Sequence, residues 1–103
     1  NKVKTINANA FMNASNLKNI NIKSKKFSKI GKNAFKNCKN LKTIKIYANS
    51  LKSVNKTAFK GAKNKKSVKV TILAKNKKQY NKLVKMLKKA GLSKVIFKFK
   101  KSK

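Results

Sequence analysis

The sequence contains no aspartate, glutamate, histidine, arginine, proline or tryptophan, and cysteine occurs once. Each absence excludes something. General acid–base catalysis draws chiefly on His, Asp and Glu, and a divalent metal site needs several ligands among His, Cys and carboxylates. The chain is therefore read as non-enzymatic, with no cofactor and no metal. Gly31-Lys32 lacks the upstream glycine and the following Ser/Thr of a phosphate-binding loop. A lone Cys38 rules out an intrachain disulfide and leaves the redox compartment open. No apolar run approaches the ~18 residues of a membrane span, and no signal peptide is visible.

Lysine fills the space left by the missing charges. All basic residues are Lys, giving a net charge of +31 over 103 residues. An ordinary domain carries both signs in about a quarter of its residues. Abundant Lys, Asn and Ile suggest a nucleotide bias, but such a bias does not forbid Asp or Glu. Without carboxylate side chains the lysines must be solvated, snorkel, or meet anions from outside. Their density rises along the chain, from four in residues 1–24 to twelve in 73–103.

The remaining residues carry a repeat. In IGKNAFKNCKNLKTIKI (residues 30–46), Ile30, Ala34, Phe35, Leu41, Ile44 and Ile46 recur 24 positions earlier as Ile6, Ala10, Phe11, Leu17, Ile20 and Ile22. Twenty-four positions later stand Val54, Ala58, Phe59, Lys65, Val68 and Val70. Only the Leu position breaks, so looser packing is expected at Lys65. A fixed period of this length is the signature of a stacked-repeat architecture. The first repeat opens almost at once, with Val3 in the slot later filled by Phe27 and Leu51. No polar cap precedes it, so the chain reads as the C-terminal end of a longer array.

Within each unit, Asn9, Asn33 or Thr57 precedes an Ala-Phe pair. These are good N-cap residues, so a short helical turn is expected there. The L-x-x-I-x-I segment that follows ends in a strand alternation. Cys38 aligns with Ala14 and Ala62, which marks it as a small buried residue. Asn16, Asn40 and Asn64, with Asn13 and Asn37, are expected to bond the backbone of their turns. The glycosylation patterns at Asn13 and Asn55 are read as accidental.

After Leu73 the pattern changes. Asn76 can cap a helix over roughly 77–90, with Tyr80, Leu83, Val84 and Leu87 on one face and Gly91 ending it. The helix is basic and amphipathic, a pattern shared with membrane-surface helices. The preferred reading is a cap closed by a fourth strand over 92–99, with Lys100, Lys101 and Lys103 as a solvated tail.

IGKNAFKNCKNLKTIKI resembles the BspA-like class of leucine-rich repeats, whose units carry I-x-x-x-A-F-x-x-C-x-x-L-x-x-I-x-I. QYNKLVKMLKKAGLSKVIFKF resembles the lysine-rich end of such arrays. The expected fold is an α/β leucine-rich-repeat solenoid with a parallel β-sheet, short helical turns and a C-terminal helix-strand cap. Three 24-residue repeats span 1–75, and 76–103 form the cap and basic tail. The resemblance implies a secreted or cell-surface bacterial protein used in adhesion, with host or cell-wall protein, glycan or another polyanion as partner.

Side chains alternate across a strand, so the residues flanking the buried Ile/Val pairs define a candidate ligand face. A 24-residue step between the three repeats, with the fourth strand aligned by its L-x-x-L-x-L spacing, gives rows Asn19–Thr43–Ser67–Lys94, Asn21–Lys45–Lys69–Ile96 and Lys23–Tyr47–Thr71–Lys98. The candidate ligand surface is Asn21, Lys23, Lys45, Tyr47, Lys69, Thr71, Lys94 and Lys98. Lys45 and Lys69 are expected as neighbours ~4.8 Å apart, an arrangement an anion would relieve; a simply solvated face is the competing reading. Two other functional readings stand beside it. Charge makes non-specific nucleic-acid binding unavoidable at low salt, although no Arg offers bidentate contacts. The chain also reads as a plain spacer and cap.

Overall fold

The computed structural model describes residues 5–22, 26–48 and 51–101. Among the described residues seven strands and one helix follow in order: β1 (Thr5–Ile6), β2 (Asn19–Asn21), β3 (Lys29–Ile30), β4 (Thr43–Tyr47), β5 (Ser53–Val54), β6 (Lys69–Ala74), α1 (Lys77–Lys89) and β7 (Ile96–Lys101). They form two parallel sheets, one ordered β1-β3-β5 and the other β2-β4-β6-β7. Each rung supplies one short strand to the first sheet and one to the second. Such a rung cannot bury its apolar face alone, so the copies stack.

The columns predicted from the 24-residue period are present in the early rungs of both sheets. Thr5 faces Lys29 and Lys29 faces Ser53, while Ile6, Ile30 and Val54 continue underneath. Ile20 faces Ile44. The phenyl rings of Phe11, Phe35 and Phe59 stack at 5.3 and 5.0 Å. Phe35 and Phe59 are buried, whereas Phe11, at the first rung, is 43% exposed. Burying a whole Phe side chain stabilises by about 1.5–3 kcal/mol, so the inner two rings are main contributors to the core. Cys38 is fully buried, and its Sγ donates to Phe11 O at 3.1 Å.

The turns between the sheets are closed by i→i+3 bonds, such as Ala34 N–H to Gly31 O (3.2 Å) and Cys38 N–H to Phe35 O (3.3 Å). Asn9 and Asn33 do not act as N-caps there. Both are left-handed, with φ of 62° and 56°, as are Asn13 and Asn37 at 62° and 61°. Asn tolerates this conformation better than most residues because its short polar side chain bonds locally. In the third rung Gly61, φ 73°, takes the place of Asn13 and Asn37.

The asparagine columns tie rungs together rather than serving their own turns. Asn37 Nδ2 donates to Asn13 Oδ1 (2.9 Å), and Asn40 Nδ2 to Ser15 O (2.6 Å). Asn64 accepts from Lys94 N–H at 2.6 Å and donates to Ser93 Oγ at 3.2 Å. These bonds lie at the exposed margin of the stack and link each rung to the next.

The third rung departs from the 24-residue step. Thr43 faces Lys69 and Ile44 faces Val70, an offset of 26. The preceding turn is longer, with Lys65 exposed and Val68 wholly buried just ahead of β6. The packing defect expected at Lys65 is therefore absent, because Val68 supplies the apolar residue and Lys65 stays in the loop.

Asn76 caps α1, its Oδ1 accepting from Gln79 N–H at 2.9 Å, while Gln79 Oε1 accepts from Lys75 N–H at 2.8 Å. This reciprocal arrangement offsets a first turn that carries Lys77 and Lys78 and no acidic residue. Leu83 and Leu87 enter the core, and Leu92 and Val95 continue it. The closing strand starts later than expected and runs to Lys101: Leu73 faces Lys100 and Ala74 faces Lys101. Lys100 and Lys101 are thus strand residues rather than a tail, and both remain exposed. Val3, Lys23 and Lys103 lie outside the described residues.

Candidate functional site

The outward face of the second sheet is built from alternate residues of β2, β4, β6 and β7. The observed register sorts them into three rows: Asn19–Thr43–Lys69–Ile96, Asn21–Lys45–Thr71–Lys98 and Tyr47–Leu73–Lys100. The second row gathers Asn21, Lys45, Thr71 and Lys98 into one line across four strands. Lys45 and Lys69 are not opposite each other, because the 26-residue offset moves Lys69 beside Thr43. They sit on a sheet diagonal, roughly 8 Å apart at the backbone by strand spacing and rise.

This changes the electrostatics of the face. Lys45 and Lys98 flank Thr71, two strand spacings or about 9.6 Å apart. At that distance two ammoniums repel by on the order of 0.4 kcal/mol in water-like dielectric. The pair leaves room for an anion over Thr71, which is half-buried and carries a hydroxyl donor. Lys45 and Lys98 are both exposed. The sequence holds no carboxylate side chain to neutralise them.

Tyr47 lies one row over, half-buried and facing Leu73. Leu73 is on the outward face yet 6% exposed. With Tyr47 it forms a short apolar strip beside the lysine row, and the continuous apolar run Ile72-Leu73-Ala74 is the signal that could have located it. Lys94 is exposed but precedes β7, its N–H held by Asn64. It is therefore a turn residue and not part of a row on the sheet.

Elsewhere the chemistry is sparse. Burial pushes the Cys38 thiol above its ordinary value of 9.0, and a backbone hydrogen bond from Ala14 acts in the opposite sense. Burial likewise raises the Tyr80 phenol. A buried, neutral thiol is a poor nucleophile. Among the described residues no three metal-ligating side chains come together. No helix among them is long and apolar enough to cross a membrane. A cavity of about 220 Å³ at the first rung is lined mainly by Ile6, Phe11, Leu17, Ile20, Ile22 and Phe35. It offers shape and apolar surface without converging charged groups.

Parallel sheets and a phenylalanine column run through the stacked rungs, and left-handed asparagines recur in the turns of the first two. The model of the BspA type leucine rich repeat region, described as six copies, matches residues 1–98. No curated protein and no solved structure gives a significant match. With nearly its whole length matched, the chain belongs to the BspA-type leucine-rich repeat family.

Proposed function

We propose that the chain is a non-catalytic binding or adhesion module of a secreted or cell-surface bacterial protein, and that its outward sheet face takes an anionic polymer. BspA-type repeats are typical of surface proteins, which supports the class. The observation that carries the ligand chemistry is the row Asn21–Lys45–Thr71–Lys98, with Lys69 on its diagonal. Positive charges stand on a rigid sheet at a spacing wider than one strand, and no side-chain carboxylate exists to quench them. Repeating phosphates or sulfates can engage Lys45 and Lys98 in turn, while Thr71 and Asn21 supply hydrogen bonds. Tyr47 and Leu73 offer an apolar contact for a sugar ring or spacer.

The experiment compares heparin, a teichoic-acid-like polymer and DNA across a salt series. Lys45→Ala/Lys98→Ala is set against Lys36→Ala/Lys60→Ala, which removes two charges from the turns. Salt weakens every polyanion contact by counterion release. The expected result is one polymer retained at about 0.15 M salt, where the Debye length is about 8 Å, and lost only in the sheet-face variant. Equal weakening by both variants for all polymers leaves a diffuse attraction and contradicts the proposal.

A further inference from the structure

We infer that the outer edge of β7 is a docking site for an extended acidic peptide, which would add a fifth strand to the second sheet. Among the described residues β7 pairs with β6 alone and stands at the end of the order β2-β4-β6-β7. Ile96 N–H donates to Val68 O at 3.0 Å. Backbone groups alternate in direction along a strand, so Ile96, Lys98 and Lys100 point theirs at β6. Phe97, Phe99 and Lys101 present theirs at the outer edge. Six residues of paired strand, Ile96–Lys101, hold this edge in extended form.

Two side-chain observations select the occupant. Lys98 and Lys100 stand on the outward face of β7, and Phe97 and Phe99 on the face toward α1. Ile96 and Phe99, on opposite faces of the strand, are each 37% exposed. An added strand would cover both. Phe99 is held by the Tyr80 ring at 5.2 Å, with Lys77 Nζ within 6 Å of both rings at 5.8 and 5.9 Å. The apolar side of the edge is therefore ordered before anything docks.

Lysine on an edge strand ordinarily blocks pairing. Here it blocks pairing with the wrong partners. A second copy of β7 would set lysine against lysine, and no segment of this chain carries an acid to face them. A foreign strand with acids opposite Lys98 and Lys100 and apolar residues opposite Phe97 and Phe99 meets neither obstacle. Main-chain bonds would give affinity and the alternating side chains selectivity, as in strand addition generally. This surface is distinct from the sheet-face row, although Lys98 borders both.

The probe is a fluorescent hexapeptide alternating glutamate and valine, titrated against the whole chain at about 0.15 M salt. Its control has the same composition with the glutamates in one block, so the charge is equal. The alternating peptide is expected to bind at least about tenfold tighter (about 1.4 kcal/mol). N-methylation of one alternate set of its residues should abolish that preference, and of the other set should spare it. Phe99→Pro removes the edge-facing N–H while leaving the β6 bonds, and should equalise the two peptides. Equal binding of both peptides, or a preference untouched by either N-methylated form, overturns the inference. Loss of polymer binding in Lys45→Ala, which changes a β4 residue away from the β7 edge, leaves the N-methylation result unaffected, because that result reads backbone pairing.

Discussion

The Phe35 ring lies 5.0 Å from that of Phe59, and the two planes are 11° from parallel. Phe11 stacks on the other side of Phe35 at 5.3 Å. Phe35 is thus clamped between two rings and 1% exposed, while Phe11 stacks on one ring among the described residues and is 43% exposed. Phe35→Ala should cost about 3–5 kcal/mol, since the cavity is closed on both sides. Phe11→Ala should cost less than half of that. Denaturant midpoints of the two variants measure the difference.

Gly31 is buried where two rungs meet, and its N–H donates to Ile6 O at 2.7 Å. A Cβ there would meet Ala8 N at 2.7 Å and Ile6 O at 2.9 Å. Those are backbone atoms of β1 and the following turn, which cannot swing aside as a side-chain tip can. Gly31→Ala is expected to separate β1 from β3 and to destabilise by more than about 1–3 kcal/mol, the usual overpacking range. At Gly61 the obstructing atom is Asn37 Oδ1, a side-chain end. Gly61→Ala should therefore cost roughly the 1–2 kcal/mol of a left-handed alanine. Amide exchange at Gly31 and Asn55 separates the two cases.

The N-terminus of α1 offers a stabilising change. Lys78 is exposed in the first turn, where the helix dipole disfavours a cation. Lys78→Glu should raise stability by about 0.3–1 kcal/mol at low ionic strength, with the gain shrinking as salt is added. Asn76→Ala should act in the opposite direction by about 1 kcal/mol, through loss of the cap to Gln79 N–H. Thermal unfolding of both variants at two salt concentrations tests the pair.

Acid denaturation normally follows from protonating carboxylates that are paired in the folded state. With no Asp, Glu or His in the sequence, no side chain titrates between about pH 3 and 8. Stability should be flat across that range. On the alkaline side burial raises the Cys38 thiol, so its contribution is complete below the ordinary value of 9.0 and declines as pH rises through the folded value. The unfolded chain releases that proton first, which is why the slope is downward. Urea midpoints at pH 3, 5, 7 and 9.5 measure the profile, and Cys38→Ala should remove the thiol's share of the alkaline slope.

How much of this was legible depended on period. The Phe, Ile6–Ile30–Val54 and Cys38 columns repeat every 24 residues, and each position needs one kind of side chain. The step into β6 was not legible for a physical reason. Val68, Val70 and Ile72 alternate with period two, so a two-residue slip keeps the same faces and leaves the hydrophobic pattern unchanged. The site rows inherit that ambiguity, which is why Lys45 faces Thr71 rather than Lys69. Asn33 misled in another way. Asn suits both an N-cap and a left-handed turn, and only the backbone distinguishes them. Lys100 and Lys101 look like a solvated tail because strand pairing, and not composition, draws them into β7.

The most direct test of the account follows amide and side-chain ammonium resonances during titration with a short anionic oligomer at about 0.15 M salt. The oligomer is the repeat unit of whichever polymer survives the salt series. The account expects saturable shifts at Lys45, Thr71 and Lys98, with smaller ones at Asn21, Tyr47 and Lys69. Shifts spread evenly over the lysines of α1 and the turns, growing without saturation, would contradict it.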